Sequence, residues 1–257
     1  MRKFWLFSIA CMALLMACEQ GNQQNEGANI VLIDTLPFTY TMVEKTEQNA
    51  EVKDSMDLYT ASISYPVVSG GALADSINAL LQKTAFNNFS SAQQQVDSFV
   101  TTTAESHTSA SFNGWYYSAD VKILYNTPLL LSMEMQISEF TGGAHGSNVS
   151  LLYTLNNNGK QLQWADLLET NALPLLMRVN DSIMRKEQDM AAGATYQDAG
   201  FLLETDSLPL PQFYALTKDG LLMHYNQYEV TPYAMGLISY TIPYNQLSGI
   251  LQKSWMP

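Results

Sequence analysis

The chain predicts an α+β fold built as a two-part module, and three patterns in its sequence say so. Apolar and polar residues alternate with period two at Phe38, Tyr40 and Met42 and again through Leu58 to Tyr65, the spacing of half-buried strands. From Leu73 the spacing changes to three and four residues, through Ile77, Leu80, Leu81, Phe86 and Phe89, the spacing of an amphipathic helix. Beyond residue 110 alternation returns for several strands, interrupted by one more helical stripe. Strands and helices in separate blocks define the α+β class. The division is a small strand–helix part over residues 29–110 and a larger antiparallel sheet with a helix over residues 111–257.

The first elements precede the fold. Arg2 and Lys3 stand before an apolar run from Phe4 to Ala17, and Leu15-Met16-Ala17-Cys18 places a small residue just ahead of a cysteine. Residues 1–17 therefore read as a bacterial lipoprotein signal, with Cys18 as the acylated first residue of the matured chain. The run is short for a membrane span, which needs ~20 residues. Residues 18–28, rich in Gln, Asn, Gly and Glu, read as a flexible tether. The implied localisation is the cell envelope, with the membrane held through lipidated Cys18.

Composition then narrows the function. Cys11 leaves with the signal and Cys18 becomes the anchor, so the folded part has no thiol for a disulfide, a zinc cluster or a nucleophile. The whole chain carries −12; removing Arg2 and Lys3 leaves ten basic against 24 acidic side chains, or −14. Nucleic-acid binding needs a basic surface to displace counterions, and none exists past the signal. A negative field suits a cationic partner by steering its encounter.

The elements follow in order. Phe38 to Val43 and Leu58 to Pro66 are strands, the second stopped by a proline that cannot donate to a ladder. Leu73 to Phe89, continued by Val96, Phe99 and Val100, is one long helix or two consecutive ones. Trp115 to Tyr125 and Leu129 to Phe140 form a hairpin across Asn126-Thr127-Pro128. Asn148 to Asn156 turns at Asn157-Asn158-Gly159 into a return strand at Gln161 to Trp164. Asn171 to Glu187 is a helix with the stripe Leu175, Leu176, Val179 and Ile183, and Gln188 to Gly200 is a loop. Phe213 to Leu216 and Leu221 to Tyr225 are joined by Lys218-Asp219-Gly220, and Tyr228 to Tyr233 and Ile238 to Pro243 complete the chain.

Few residues carry a chemical signature. Gly142 and Gly143, in Thr141-Gly142-Gly143-Ala144-His145-Gly146, permit positive φ and close approach by another group. The segment lacks the Gly-Lys-Ser/Thr ending of a phosphate loop. His145 is a candidate base or ligand, or else a residue that orients its own turn. His107 and His224 stand in no metal-binding pattern, and no G-x-S-x-G elbow accompanies Ser147. Glu139, Asp166 and Glu229 are candidate carboxylates for a glycosidase-type pair, with solvated acids as the default. The sequence thus implies no catalytic residue, metal or cofactor. Tyr225, Tyr228, Tyr233, Tyr240 and Tyr244, with Trp115, Tyr116 and Tyr117, supply either core or a stacking platform.

Two landmarks carry a resemblance. Thr141-Gly142-Gly143-Ala144-His145-Gly146, then Asn156-Asn157-Asn158-Gly159-Lys160, then Tyr228-Glu229-Val230-Thr231-Pro232-Tyr233-Ala234-Met235-Gly236 with Ile242-Pro243-Tyr244 occur in order. They resemble the extracytoplasmic module shared by RsiV-type lysozyme-sensing anti-sigma factors and the non-catalytic part of PdaC-type peptidoglycan deacetylases. Ile63-Ser64-Tyr65-Pro66 followed by a helix resembles the first half of that module. The resemblance implies a PdaC-like part at 29–110 and an RsiV-like part at 111–257, without the separate deacetylase domain or a sigma-binding segment. It also implies a binding module for peptidoglycan glycan or for a cationic protein such as lysozyme, touched through Gly142, Gly143, His145, Tyr228, Glu229 and Tyr233. A peptidoglycan-acting hydrolase or deacetylase using His145 with Glu229 or Asp166, and a structural or assembly lipoprotein, are the alternatives.

Overall fold

Alternation becomes register in the first sheet. The computed structural model describes residues 35–48, 58–106 and 114–256; the signal, the tether, Cys18, the apolar run at Ile30 to Ile33 and His107 lie outside the described residues. Strands β1 (Phe38–Gln48), β2 (Leu58–Val68), β3 (Tyr116–Asn126), β4 (Leu130–Phe140) and β5 (Ser147–Asn156) lie side by side in that order. All neighbours are antiparallel except β2 and β3, which are parallel. A parallel pair needs a crossover. Helices α1 (Gly71–Lys83) and α2 (Ala92–Ser106) supply it, and they pack on one face of the sheet. The first sheet therefore takes strands from both sides of residues 107–113.

The helical stripe is two helices. Thr84 to Ser91 breaks it, with Asn87 and Asn88 at φ 47° and 67°, a region that Asn tolerates better than most residues. Ile77, Leu81, Val96 and Val100 meet Tyr59, Ala61 and Ile63 of β2, Val121 of β3, and Met133 and Met135 of β4 in one buried core. Side chains alternate across a strand, so the intervening residues Ser62, Ser118 and Ser138 fall on the opposite face.

The second core gathers around a smaller sheet. Strands β6 (Phe213–Leu216), β7 (Gly220–Tyr225) and β8 (Ile238–Pro243) form an antiparallel set in chain order. Helix α4 (Leu173–Glu187) contributes Leu176 and Met184, which pack with Tyr196, Met223, Tyr225, Val230 and Ile242. Buried Asn180 on α4 is satisfied twice, donating to Tyr225 Oη at 2.8 Å and accepting from Tyr240 Oη at 2.7 Å. Together these elements confirm the α+β class: a strand–helix part first, then antiparallel sheet with helix.

One expected strand is replaced. Gln161 to Trp164 holds a single bridge, Leu155 to Gln161, before the short helix α3 (Trp164–Leu167) begins. Gln163 and Asp166 cap that helix reciprocally, which satisfies its free N–H groups and ends the extended run. Gly159 at the preceding turn has φ 79°, and a β-carbon there would strike Ala72 and Ser76 of α1.

Candidate functional site

Two loops meet beside the start of β5. The first is the Thr141–Gly146 turn between β4 and β5, where Gly142 and Gly143 take φ 98° and 96°. A β-carbon on Gly142 would make an ordinary contact with the Trp115 ring at 3.6 Å, so it is the positive φ, not the space, that calls for glycine there. Gly143 has open space around it. The second loop joins β7 to β8 and carries Tyr228, Glu229 and Tyr233.

A single side chain fixes the second loop to the first sheet. Asn226 accepts from the Ser150 backbone N–H at 2.8 Å and donates back to the Ser150 carbonyl at 3.0 Å. Its amide thus stands in for a neighbouring strand at that point of β5 and satisfies both backbone groups. Nothing in the sequence pattern marked Asn226, which simply follows the last residue of β7.

Glu229 shapes the loop from within. Its Oε2 accepts from the Asn226 N–H and its Oε1 from the Gln212 N–H, both at 3.0 Å. The carboxylate thereby works on backbone, in the manner of a charged cap. Tyr228 N–H donates to the Thr231 carbonyl at 2.9 Å and holds Tyr228 at φ 65°. A bulky side chain in the left-handed region costs about 1–3 kcal/mol, and such strain collects at functional sites. Tyr228 is nevertheless 59% exposed, so burial of its ring does not offset that cost.

The rings converge there. His145 stacks on Tyr233 with centroids 3.9 Å apart and planes 23° from parallel, and Tyr228 lies tilted 6.0 Å from Tyr233. His145 Nδ1–H donates to the Gly146 carbonyl at 3.0 Å, and Tyr233 Oη donates to the same oxygen at 3.2 Å. His145 therefore both orients its turn and joins a surface. The three rings, with Ser147, Asn148 and Gln227, line a shallow depression of about 180 Å³. Of the six residues singled out from sequence, His145, Tyr228 and Tyr233 meet directly, Gly142 and Gly143 shape one loop, and Glu229 braces the other.

Asp166 and Glu139, the other candidate carboxylates, take different places in the fold. Lys160 Nζ binds Asp166, whose other oxygen accepts from Gln163 N–H at 3.0 Å and whose pKa is held down by those hydrogen bonds. Lys160 pairs with the far end of β5 through the Asn156 turn, so ten strand residues, about 30 Å, separate Asp166 from the His145 end. Glu139 faces Tyr117 and Ser147 in the sheet register. His224 is buried in β7: Ser239 Oγ donates to its Nδ1 at 2.5 Å, and its Nε2–H donates to Asn226 Oδ1 at 3.3 Å. Burial lowers its pKa below 6.5 and outweighs the opposing pull of Asn226, Glu134 and Glu229. Among the described residues no three His, Cys, Asp or Glu side chains gather as a metal site, and no helix is long and apolar enough to cross a membrane.

The fold and surface together define an α+β module with a loop-borne aromatic site. Comparison with known families places its parts: residues 52–148 match the family model described as deacetylase PdaC, and residues 165–245 match the model described as a protein of unknown function, DUF3298. Similar solved structures include a DUF3298 family protein from Bacteroides fragilis NCTC 9343, 19% identical with a TM-score of 0.68, covering 85% of this chain and 94% of that one. Another is a DUF3298 family protein from Pseudomonas aeruginosa PAO1, 17% identical with a TM-score of 0.63, covering 88% of this chain and 99% of that one. These likenesses establish the fold. No curated protein matches the chain.

Proposed function

We propose that the chain is a lipid-anchored, non-catalytic recognition module of the bacterial cell envelope, and that glycan of the peptidoglycan class rests on the rings of His145, Tyr228 and Tyr233. One observation carries the reading: Tyr228 is kept exposed in a strained backbone conformation by hydrogen bonds on both sides of it. A rigid ring presented to solvent offers an apolar face with a polar tip, the chemistry that stacks on a pyranose. Because the loop is already closed, little freedom is lost on binding.

The envelope setting rests on Cys18 and the residues before it. Mass spectrometry of the membrane fraction tests it: an N-terminal peptide beginning at a diacylated or triacylated Cys18 is expected, and an intact Met1 contradicts it. Sedimentation with purified sacculi tests the ligand. Unaltered protein co-sediments, Tyr228→Ala and His145→Ala do not, and equal co-sedimentation of all three overturns the reading.

A second reading has its own observation. The net charge of −12 favours a cationic protein such as lysozyme, through a field that salt screens. On that reading binding to lysozyme weakens steeply between low and high ionic strength, whereas stacking on a neutral glycan changes little.

A further inference from the structure

We infer that the open face of the five-stranded sheet continues the ring surface into a platform on which an extended neutral polysaccharide lies across the strands. The inference rests on the glycan reading above and adds the length and direction of the ligand. The helices cover one face of this sheet; on the other, the second core buries Leu130, Ser132, Leu152 and Thr154 at one end of β4 and β5, and the sheet register sets out what the rest presents.

Two parallel rows of side chains cross it. Glu44, Ser62, Ser118, Ser138 and Asn148 stand opposite one another through all five strands. At ~4.8 Å per strand the row is about 19 Å long. Ser62, Ser118, Ser138 and Asn148 are half-buried, accessible from one side. Ser138 Oγ donates to Asn148 Oδ1 at 2.7 Å, which leaves the Asn148 amide nitrogen to donate elsewhere. The neighbouring row is Thr46, Thr60, Tyr116 and Phe140, whose last two rings lie 6.2 Å apart and 30° from parallel.

The aromatic end of the second row joins the loop site at Gly146. A β-carbon at Gly146 would stand 3.1 Å from Tyr116 Oη and 3.0 Å from the Glu139 carbonyl, so the glycine lets the loop and the ring lie closely together there. The Gly146 carbonyl on the same residue accepts from Tyr233. Tyr116 and Phe140 therefore run on into His145, Tyr233 and Tyr228.

The chemistry of the face selects its occupant. Asp120 pairs with Lys122 at 2.8 Å, Glu134 accepts from Ser150 Oγ at 2.5 Å and from Gln136 at 3.2 Å, and Glu44 stands at the β1 end of the row. What remains is a strip of hydroxyls and an amide beside a strip of rings, complementary to sugar hydroxyls and acetamides on one side and to pyranose faces on the other. A partner sheet would require a continuous apolar face, and here Tyr40 and Met42 are confined to the β1 edge. Successive sugars of an extended β-1,4-linked chain advance by slightly more than the ~4.8 Å between neighbouring strands. The five strands accordingly match about five sugars.

Calorimetry on the full chain with β-1,4-linked N-acetylglucosamine oligomers of two to six sugars tests this. Affinity is expected to climb through about five sugars, by at least about tenfold from dimer to pentamer. Tyr116→Ala and Ser118→Arg, both on the open face, each weaken the pentamer about tenfold and leave the dimer unchanged, while Tyr228→Ala weakens both. The length series needs no variant, so it stands even if a variant misfolds. Equal affinity for dimer and pentamer, still lost in Tyr228→Ala, overturns the platform and keeps the loop site. Failure of every oligomer to bind overturns the platform and the glycan reading together.

Discussion

Tyr228 sits at the centre of the residue-scale account. Its φ of 65° is a conformation that glycine adopts without a steric cost. Tyr228→Gly is accordingly expected to raise stability by roughly 0.5–1 kcal/mol while abolishing glycan retention, a separation that chemical denaturation and sacculus sedimentation read independently. A loss of stability would mean that the ring supports the fold. Glu229→Ala acts in the opposite sense: it leaves the Asn226 and Gln212 N–H groups without their carboxylate, and a loss of about 1–3 kcal/mol in the same denaturation assay is expected. His224 supplies a pH dependence. Burial depresses its folded pKa below the unfolded 6.5, so the unfolded state binds more protons between those two values. Its contribution to stability is complete above pH 6.5 and is lost as pH falls toward the folded pKa. Thermal melts of His224→Gln between pH 5 and 7 are expected to show a flatter slope than the unaltered protein; identical slopes would assign the dependence to other groups.

At the scale of elements, turns decide more than strands. Gly220 opens β7 at φ 152°, and a β-carbon there would strike the Ile242 carbonyl across the sheet. Gly220→Ala is expected to cost more than about 2 kcal/mol by denaturant titration, through backbone strain and a broken β7–β8 pairing. An unchanged midpoint would show that the hairpin can shift to make room. The Asp219-Gly220 hairpin was legible in sequence because its chemistry is local. So was α4, whose Leu176 and Met184 keep a helical spacing, whereas the sequence left Tyr116 and Tyr117 together as core or platform and only the sheet puts Tyr117 inside and Tyr116 outside. The Gln161–Trp164 strand was not, since an apolar and polar alternation of four residues is shared by a strand and by the approach to a capped helix. The helix won there because Gln163 and Asp166 satisfy its first N–H groups.

On the scale of the whole molecule, the candidate site belongs to neither matched region alone. His145 stands within residues 52–148, whereas Tyr228 and Tyr233 stand within residues 165–245. The ring stack of His145 and Tyr233 joins positions 88 residues apart, held by Asn226 on Ser150 and by Tyr233 on the Gly146 carbonyl. Sequence showed the two motifs and their order, but no local pattern encodes a contact made by tertiary packing. The Gly146 seam with Tyr116 was hidden for the same reason, because a close approach is visible only once β3 and β4 are paired. The central claim is that this jointly built ring surface holds glycan. Sedimentation of the full chain with purified sacculi, compared with Tyr228→Ala and His145→Ala proteins of verified fold, tests it most directly: the account predicts retention of the unaltered chain and release of both variants, and retention of all three, or of none, would contradict it.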